Sequence, residues 1–363
     1  MPRIEATHSQ LYRIPLAEPL ADAKHGTHTH FELITVTIRT DDGLEGTGYT
    51  YTGGVGGAAI LALLRADLEP LLEGADARGI RELHAEMYWR THYVGRGGVA
   101  GFAISAIDIA LWDIAGKRSG DPLWRMAGGH GRETRAYAGG IDLNFTTERL
   151  LRNIDGYLGQ GFEAVKIKVG RPDLDEDVAR VAAVRERIGP DRTLMVDANY
   201  GLSVDAAIGM ANAFAPYDIA WFEEPIDPED FAGYARIAAT TGMPLAQGEN
   251  LHSLDEFRRA LESAGLSFIQ PDASNCGGVT GRLDVAALAA EAGVPICSHG
   301  MQELHVGLMA GQPHAGWLEV HSFPIVDYTT RPLPIRNARA VASDAPGTGV
   351  AFDWERLKPH AVG

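Results

Sequence analysis

Asp197, Glu223 and Glu249 each stand where an apolar run stops, in TLMVDAN, IAWFEEP and PLAQGEN. The steps between them are equal: 223−197=26 and 249−223=26. Three carboxylates brought together repel one another, and their pKa values rise unless a cation sits among them. Oxygen ligands without thiolate or imidazole suit a hard divalent ion, Mg2+ before Mn2+. A blander account has each carboxylate capping a helix or pairing with a lysine, but three at matching positions argue for one shared ion. Asn199, two residues beyond Asp197, is a candidate contact to substrate.

Other titratable residues fall on the same rhythm. Lys166 and Lys168, in AVKIKVG, are two apart, so in a strand both point to one face together with Ala164. Mutual repulsion lowers an ammonium's pKa and would make one of them a base near neutral pH, while pairing with nearby carboxylates is the plainer alternative. Asp272 in FIQPDAS and His299 in PICSHG end neighbouring segments. A carboxylate bonded to one imidazole nitrogen fixes the tautomer and makes the other nitrogen more basic. Glu319 in WLEVHS, if protonated, could donate to a substrate carboxylate from the side opposite the metal.

These residues need elements to hold them. The remaining steps are 197−168=29, 272−249=23, 299−272=27 and 319−299=20, each about one strand, one helix and two short loops. One functional residue per βα unit, always at the strand's C-terminal end, is the arrangement of a closed barrel whose strand ends meet at one mouth. Strand one reads as RAYAGGI, and later strands start near 164, 193, 219, 244, 268, 295 and 317. TTERLLRNIDGYLGQG, LDEDVARVAAVRERIG and VTGRLDVAALAAEAG read as helices closing on glycine.

Residues 1–130 read differently, as an α+β cap. FELITVTIRT, the turn DDG and LEGTGYTY form a hairpin, then amphipathic helices lead into GVAGFAISAIDIALWDIAGKRSG, an apolar, small-residue helix expected to be buried. The barrel spans 131–325, and an irregular tail, 326–363, is expected to return onto the cap. Before the hairpin, ADAKHGTHTH reads as a polar loop. It is either a solvated surface or a lid whose Lys24 and His25 bind a polar substrate, with His28 and His30 nearby. TGGVGG, residues 52–57, could be a second mobile loop.

Composition sets the bounds. The chain has 363 residues and a formal net charge of −16, which disfavours nucleic acid and anionic membranes as partners. Cys276 and Cys297 make no metal-ligand pattern and read as packing residues. The N-terminus lacks the order of a signal peptide, and no apolar run reaches the ~18 residues of a membrane span. A cytoplasmic protein is the expectation.

Taken together, KIKVG, VDAN, FEEP, GEN, QPDASNCGG, SHG and LEV resemble the mandelate racemase subgroup of the enolase superfamily over nearly the whole chain. The resemblance implies a modified TIM barrel, (β/α)7β, with an α+β capping domain completed by the C-terminal tail, and a homo-oligomer. It implies Mg2+ on Asp197, Glu223 and Glu249, and Lys168 as a base on one face of the substrate with Lys166 tuning it. It also implies His299, supported by Asp272, on the other face, and Glu319 bonding the carboxylate. The shared step is removal of a proton next to a carboxylate; the superfamily is itself a standard example of a Lys or His base working with Mg2+. Reprotonation at carbon 2 would give a racemase or epimerase of a 2-hydroxy or amino acid. Protonation of a departing 3-hydroxyl would give a 2-keto-3-deoxy acid. The polar AKHGTHTH segment favours a polyhydroxylated acid such as a hexarate or hexonate over mandelate, so an acid sugar dehydratase is the first expectation. A catalytically silent binding protein on the same barrel is the alternative from another class. Phosphorylated substrates are disfavoured, because SHGMQE and HSFPIV are not glycine-rich cradles.

Overall fold

The computed structural model describes residues 1–362. β1 (Ile4–Asp22), β2 (Gly26–Thr40) and β3 (Glu45–Thr52) form an antiparallel meander. β2 packs on both faces. Ile34, Val36 and Ile38 join the core of the cap helices, while Phe31 and Leu33 join Tyr49, Tyr51 and residues of the barrel. The sheet is therefore a partition between the cap helices and the barrel mouth.

The segment read as a polar loop is a hairpin. β1 continues to Asp22 and β2 resumes at Gly26, with His28 paired to Leu20 and Thr27 to Ala21. The local cause is Asp22, whose Oδ1 accepts the backbone N–H groups of Lys24 and His25 at 2.9 and 2.6 Å and closes the turn.

The helix Val99–Ser119 has the length and mean hydropathy, 1.6, of a membrane span, which the sequence reading did not credit it with. It is instead the buried centre of the cap, and its two mid-helix acids are paired. Asp108 accepts from Thr280 N and Oγ1, and Asp113 from Thr47 N and Thr348 N. β3 lies almost on this helix's backbone. A Cβ at Gly48 would come within 2.0 Å of Ala106 O and 2.5 Å of Ala110 N. Backbone cannot yield as a side chain tip can, so Gly48→Ala is expected to destabilise the fold by about 3 kcal/mol. Chemical denaturation checks this; a change below measurement error would mean that β3 can slide.

The barrel strands are β4 (Glu133–Gly139), β5 (Ala164–Lys168), β6 (Thr193–Asp197), β7 (Ile219–Glu223), β8 (Leu245–Gln247) and β9 (Phe268–Ile269), followed by β10 (Leu318–His321). β4 to β9 pair in sequence order, and β10 pairs in parallel with β4. The strand expected near 295 is reduced to a bridge, Ile296 joining Ile269 on one side and Ala315 on the other, and through it the barrel closes. Its ladder survives in bonds such as Cys297 N to Ile269 O at 2.7 Å and Gly316 N to Ile296 O at 2.7 Å. Tyr137, Ala164, Met195, Trp221 and Ala246, one from each of β4 to β8, and Cys297 beside the Ile296 bridge fill the interior as a floor. Both cysteines are free and buried.

The tail divides. β11 (Ile335–Arg336) and β12 (Arg339–Val341) form a hairpin that lies antiparallel on Glu133–Arg135 of β4. Those residues precede the parallel pairing of β4 with β10 and β5, so their edge would otherwise be bare. β13 (Ala361–Val362) then pairs with Leu11 and Tyr12 of β1 in the cap sheet.

Candidate active site

Lys166 and Lys168 point inward from β5 and are buried, one layer above the Ala164 of the floor. Asp197 and Glu223 are the last residues of β6 and β7 and are fully buried, and Glu249 follows β8 by two residues. One carboxylate oxygen from each of the three lies within 4.8 Å of the others. This all-oxygen set fits a hard divalent ion, with room left for water and substrate oxygens. Glu223 is oriented from behind by Trp221 Nε1 and Gln270 Nε2, each donating to Oε2 at 2.8 Å, as outer partners orient metal ligands elsewhere.

The lysines do not show the depressed pKa expected from their mutual repulsion. Burial does push both ammoniums down, but carboxylates more than offset it, and both lie above the usual lysine value. Lys166 sits against Glu223, 2.9 Å from Glu319 Oε1 and 3.4 Å from Asp197 Oδ2, while Lys168 Nζ is 2.5 Å from Asp197 Oδ2. The plainer alternative, pairing with neighbouring acids, is what the geometry contains. A cation shared by Asp197, Glu223 and Glu249 would draw on the same negative charge that holds these protons.

Glu319 also departs from expectation. Its role as a donor depends on a protonated carboxyl, yet both its oxygens accept: Oε1 from Lys166, and Oε2 from Gly300 N at 3.0 Å. Burial alone would raise its pKa, but Lys166 reverses the sign and holds the carboxylate ionised.

Asp272 and His299 meet as anticipated from their spacing. His299 Nδ1 is 2.9 Å from Asp272 Oδ2, and Nε2, on the cavity side, is 3.2 Å from Glu249 Oε2. Burial lowers the imidazole's pKa, but Glu249 and the Asp272 bond carry it up to about 10. Asp272 Oδ1 accepts from Ser274 N at 2.7 Å, and Oδ2 accepts a second donor, Tyr51 Oη, at 2.9 Å.

Lys168, Glu249, Asp272, His299 and Tyr51 line a cavity of about 690 Å3 between barrel mouth and cap. Asn199 lines it with a buried side-chain oxygen that has no partner, on a backbone at φ 39°. His25 lines it too, between Asp22 and the Tyr200 hydroxyl. Lys24 does not. The Asp22 turn points it to solvent, where its ammonium lies 5.9 Å from the Tyr200 ring centre. The glycine run forms the facing rim, tied to the hairpin by His28 Nδ1 to Gly53 O and His30 Nε2 to Gly54 O, both 3.2 Å. The lining residues not singled out from the sequence include Tyr51, which the alternation of YTYT could have placed on the face of Tyr49, and His321, two residues after Glu319.

Against known protein families, residues 8–128 match the profile described as the mandelate racemase/muconate lactonizing enzyme N-terminal domain. Residues 149–356 match the enolase C-terminal domain-like profile. The chain belongs to the enolase superfamily. Among its relatives in this superfamily is the 3,6-anhydro-alpha-L-galactonate cycloisomerase of Streptomyces coelicolor, 47% identical over 360 residues, covering 99% of this chain and 100% of that protein. Another is the L-talarate/galactarate dehydratase of Salmonella typhimurium, 36% identical over 367 residues, covering 98% and 92%. A solved racemase from Streptomyces coelicolor A3(2) with bound magnesium has a TM-score of 0.97 at 47% identity, covering 99% of this chain and 100% of that one. L-Talarate dehydratase from Polaromonas sp. JS666, complexed with Mg and L-glucarate, has a TM-score of 0.94 at 32% identity, covering 100% and 98%. The fold is thus the modified TIM barrel of the enolase superfamily, within its mandelate racemase subgroup, and the cofactor is Mg2+. The chain is an enzyme of the group containing acid sugar dehydratases and cycloisomerases.

Proposed function

We propose that this enzyme removes the proton α to the carboxylate of a sugar acid and expels the oxygen on the next carbon, giving a 2-keto-3-deoxy acid. The observation that carries it is the pairing of two proton-handling groups on one cavity: Lys168 on β5, and His299 with Asp272 three strands away by the shorter way round. One takes the proton from C2, and the electron pair left behind forms an enediolate. That pair then makes the C2–C3 double bond as the C3–O bond breaks, and the other group protonates the departing oxygen. The enol tautomerises, C3 gaining a proton. Mg2+ on Asp197, Glu223 and Glu249 supplies the positive charge that makes so weak a carbon acid deprotonatable. Lys166 keeps Glu319 and Glu223 in place beside it.

The leaving oxygen distinguishes two forms of this reaction. In an open-chain acid it departs as water. In a 3,6-anhydro acid it is the ring ether, which stays as the C6 hydroxyl, and the product is an isomer. We favour the second, with one carboxylate in the substrate. The support is the full-length similarity to the cycloisomerase and the character of the cavity wall. Among the described residues lining it, the only lysine is Lys168 and there is no arginine. His28 already faces Asp22 at 2.9 Å, so a second carboxylate would find no free fixed cation. With Lys24 turned outward, the earlier case for a hexarate loses its main support.

The test is a panel with Mg2+: a 3,6-anhydrohexonate, a hexonate, a hexarate and mandelate, followed by proton NMR. We expect kcat/KM for the anhydro acid to exceed that for the hexarate by about a hundredfold, two decades at 1.4 kcal/mol each. A faster hexarate would return the reading to a dehydratase, and a C2 epimer as sole product would make the enzyme a racemase.

A further inference from the structure

Tyr51 is the last tyrosine of β3, in the cap, yet its hydroxyl is buried in the barrel's acid–base pair. It lies 2.9 Å from Asp272 Oδ2 and 3.3 Å from His299 Nδ1. The oxygen it bonds is the one that accepts from the imidazole. Asp272 thus receives three donors: His299 and Tyr51 on Oδ2, and Ser274 N on Oδ1. Space for the phenol is provided by the SHG motif, since a Cβ at Gly300 would fall 2.2 Å from Tyr51 Oη, on a backbone at φ 53°. Behind Asp272, His305 is already committed, Nδ1 to Gly300 O at 2.7 Å and Nε2 accepting from Ala273 N at 3.0 Å. No other side-chain hydroxyl among the described residues reaches this carboxylate.

We propose that Tyr51 is a positioning residue for the His299–Asp272 pair, holding the carboxylate in the plane of the imidazole and sharing the charge of the oxygen that binds it. Three donors converging on Asp272 favour its ionised form, so the proton between Asp272 and His299 stays on the ring nitrogen. Nε2 then keeps its lone pair toward the cavity whenever the imidazole is neutral. Burial and Asp272 together hold the phenol protonated, well above its ordinary pKa, as the role requires. One strand of the cap thereby enters the acid–base machinery, and seating the cap and aiming His299 become a single event.

The functional part of this inference rests on the reaction proposed above, while its structural part does not. Tyr51→Phe removes one oxygen and keeps the ring. In the Mg2+-loaded enzyme the proton on His299 Nδ1 is followed by NMR without substrate. Its resonance is expected to move in Tyr51→Phe, because the acceptor oxygen loses its second donor; an unmoved resonance overturns the proposal whatever the substrate is. With substrate, kcat is expected to fall about tenfold to a hundredfold, the worth of one hydrogen bond to a charged group, with KM within about twofold. To separate positioning from general loosening, the same change is made in His299→Asn, scoring the C2 proton exchange with deuterium that Lys168 can still perform. Exchange that is unchanged on adding Tyr51→Phe shows action through the pair. Exchange that falls along with turnover assigns Tyr51 to cap packing and overturns the proposal. Wild-type enzyme that turns over no sugar acid refutes the reaction but leaves the NMR result standing.

Discussion

Glu223→Gln is expected to abolish turnover, by about a thousandfold or more, with loss of Mg2+ binding. Glu223 ends the middle of the three strands that carry the oxygen ligands, and Trp221, Gln270 and Lys166 all aim at its carboxylate. A glutamine keeps the shape but removes one of the three charges that would hold the ion. Losing one well-placed electrostatic stabiliser costs about 10^2 to 10^3 in rate, and here the ion goes with it. The fold should survive, since Lys166 keeps Glu319 at 2.9 Å. Calorimetric titration with Mg2+ measures the binding, and EDTA treatment of wild type with Mg2+ add-back is the companion experiment. Full activity in metal-free wild type, or undiminished Mg2+ affinity in the variant, would show that the ion sits elsewhere.

Lys168→Ala and His299→Asn should each cost up to about 10^4 in kcat, the upper range for a positioned acid or base. Their residual chemistry should differ. A substrate whose C2 hydrogen faces Lys168 should still exchange it with solvent deuterium in His299→Asn but not in Lys168→Ala, because the remaining group reaches only its own side. The C2 epimer should show the reverse. NMR of recovered substrate in deuterium oxide reads both. Variants that each retain more than a few per cent of turnover would remove both residues from the reaction.

Much of this site was legible from spacing. A strand ends where its apolar run ends, and a closed barrel sends every such end to one mouth, so Asp197, Glu223, Asp272 and His299 could be grouped before any coordinates. What spacing cannot carry is distance between like and unlike charges. The sequence shows Lys166 beside Lys168 but not that Asp197 stands 2.5 Å from Lys168 Nζ, which decides the direction of its pKa. The direction of Lys24 is set by two backbone bonds to Asp22, a turn choice invisible in a run of polar letters. The near-loss of the seventh strand follows from a pairing of single residues at Ile296. Tyr51 was missed because its partner lies 221 positions away in another domain.

β3 presents three successive side chains to the barrel: Tyr49 to Glu303, Thr50 to Ser274 O and Tyr51 to Asp272. A cap riveted at that strand cannot swing open as one body. Entry and exit of ligand must therefore fall to the two short pieces beyond the rivets: the 23–25 turn, and the 53–56 glycine run that is tied to β2 by His28 and His30 at 3.2 Å each. In amide hydrogen exchange the 49–51 amides should be among the slowest of the cap, and those two rim segments among the fastest. The gate of this enzyme is then a pair of lips a few residues long, while the hinge usually sought between cap and barrel is locked.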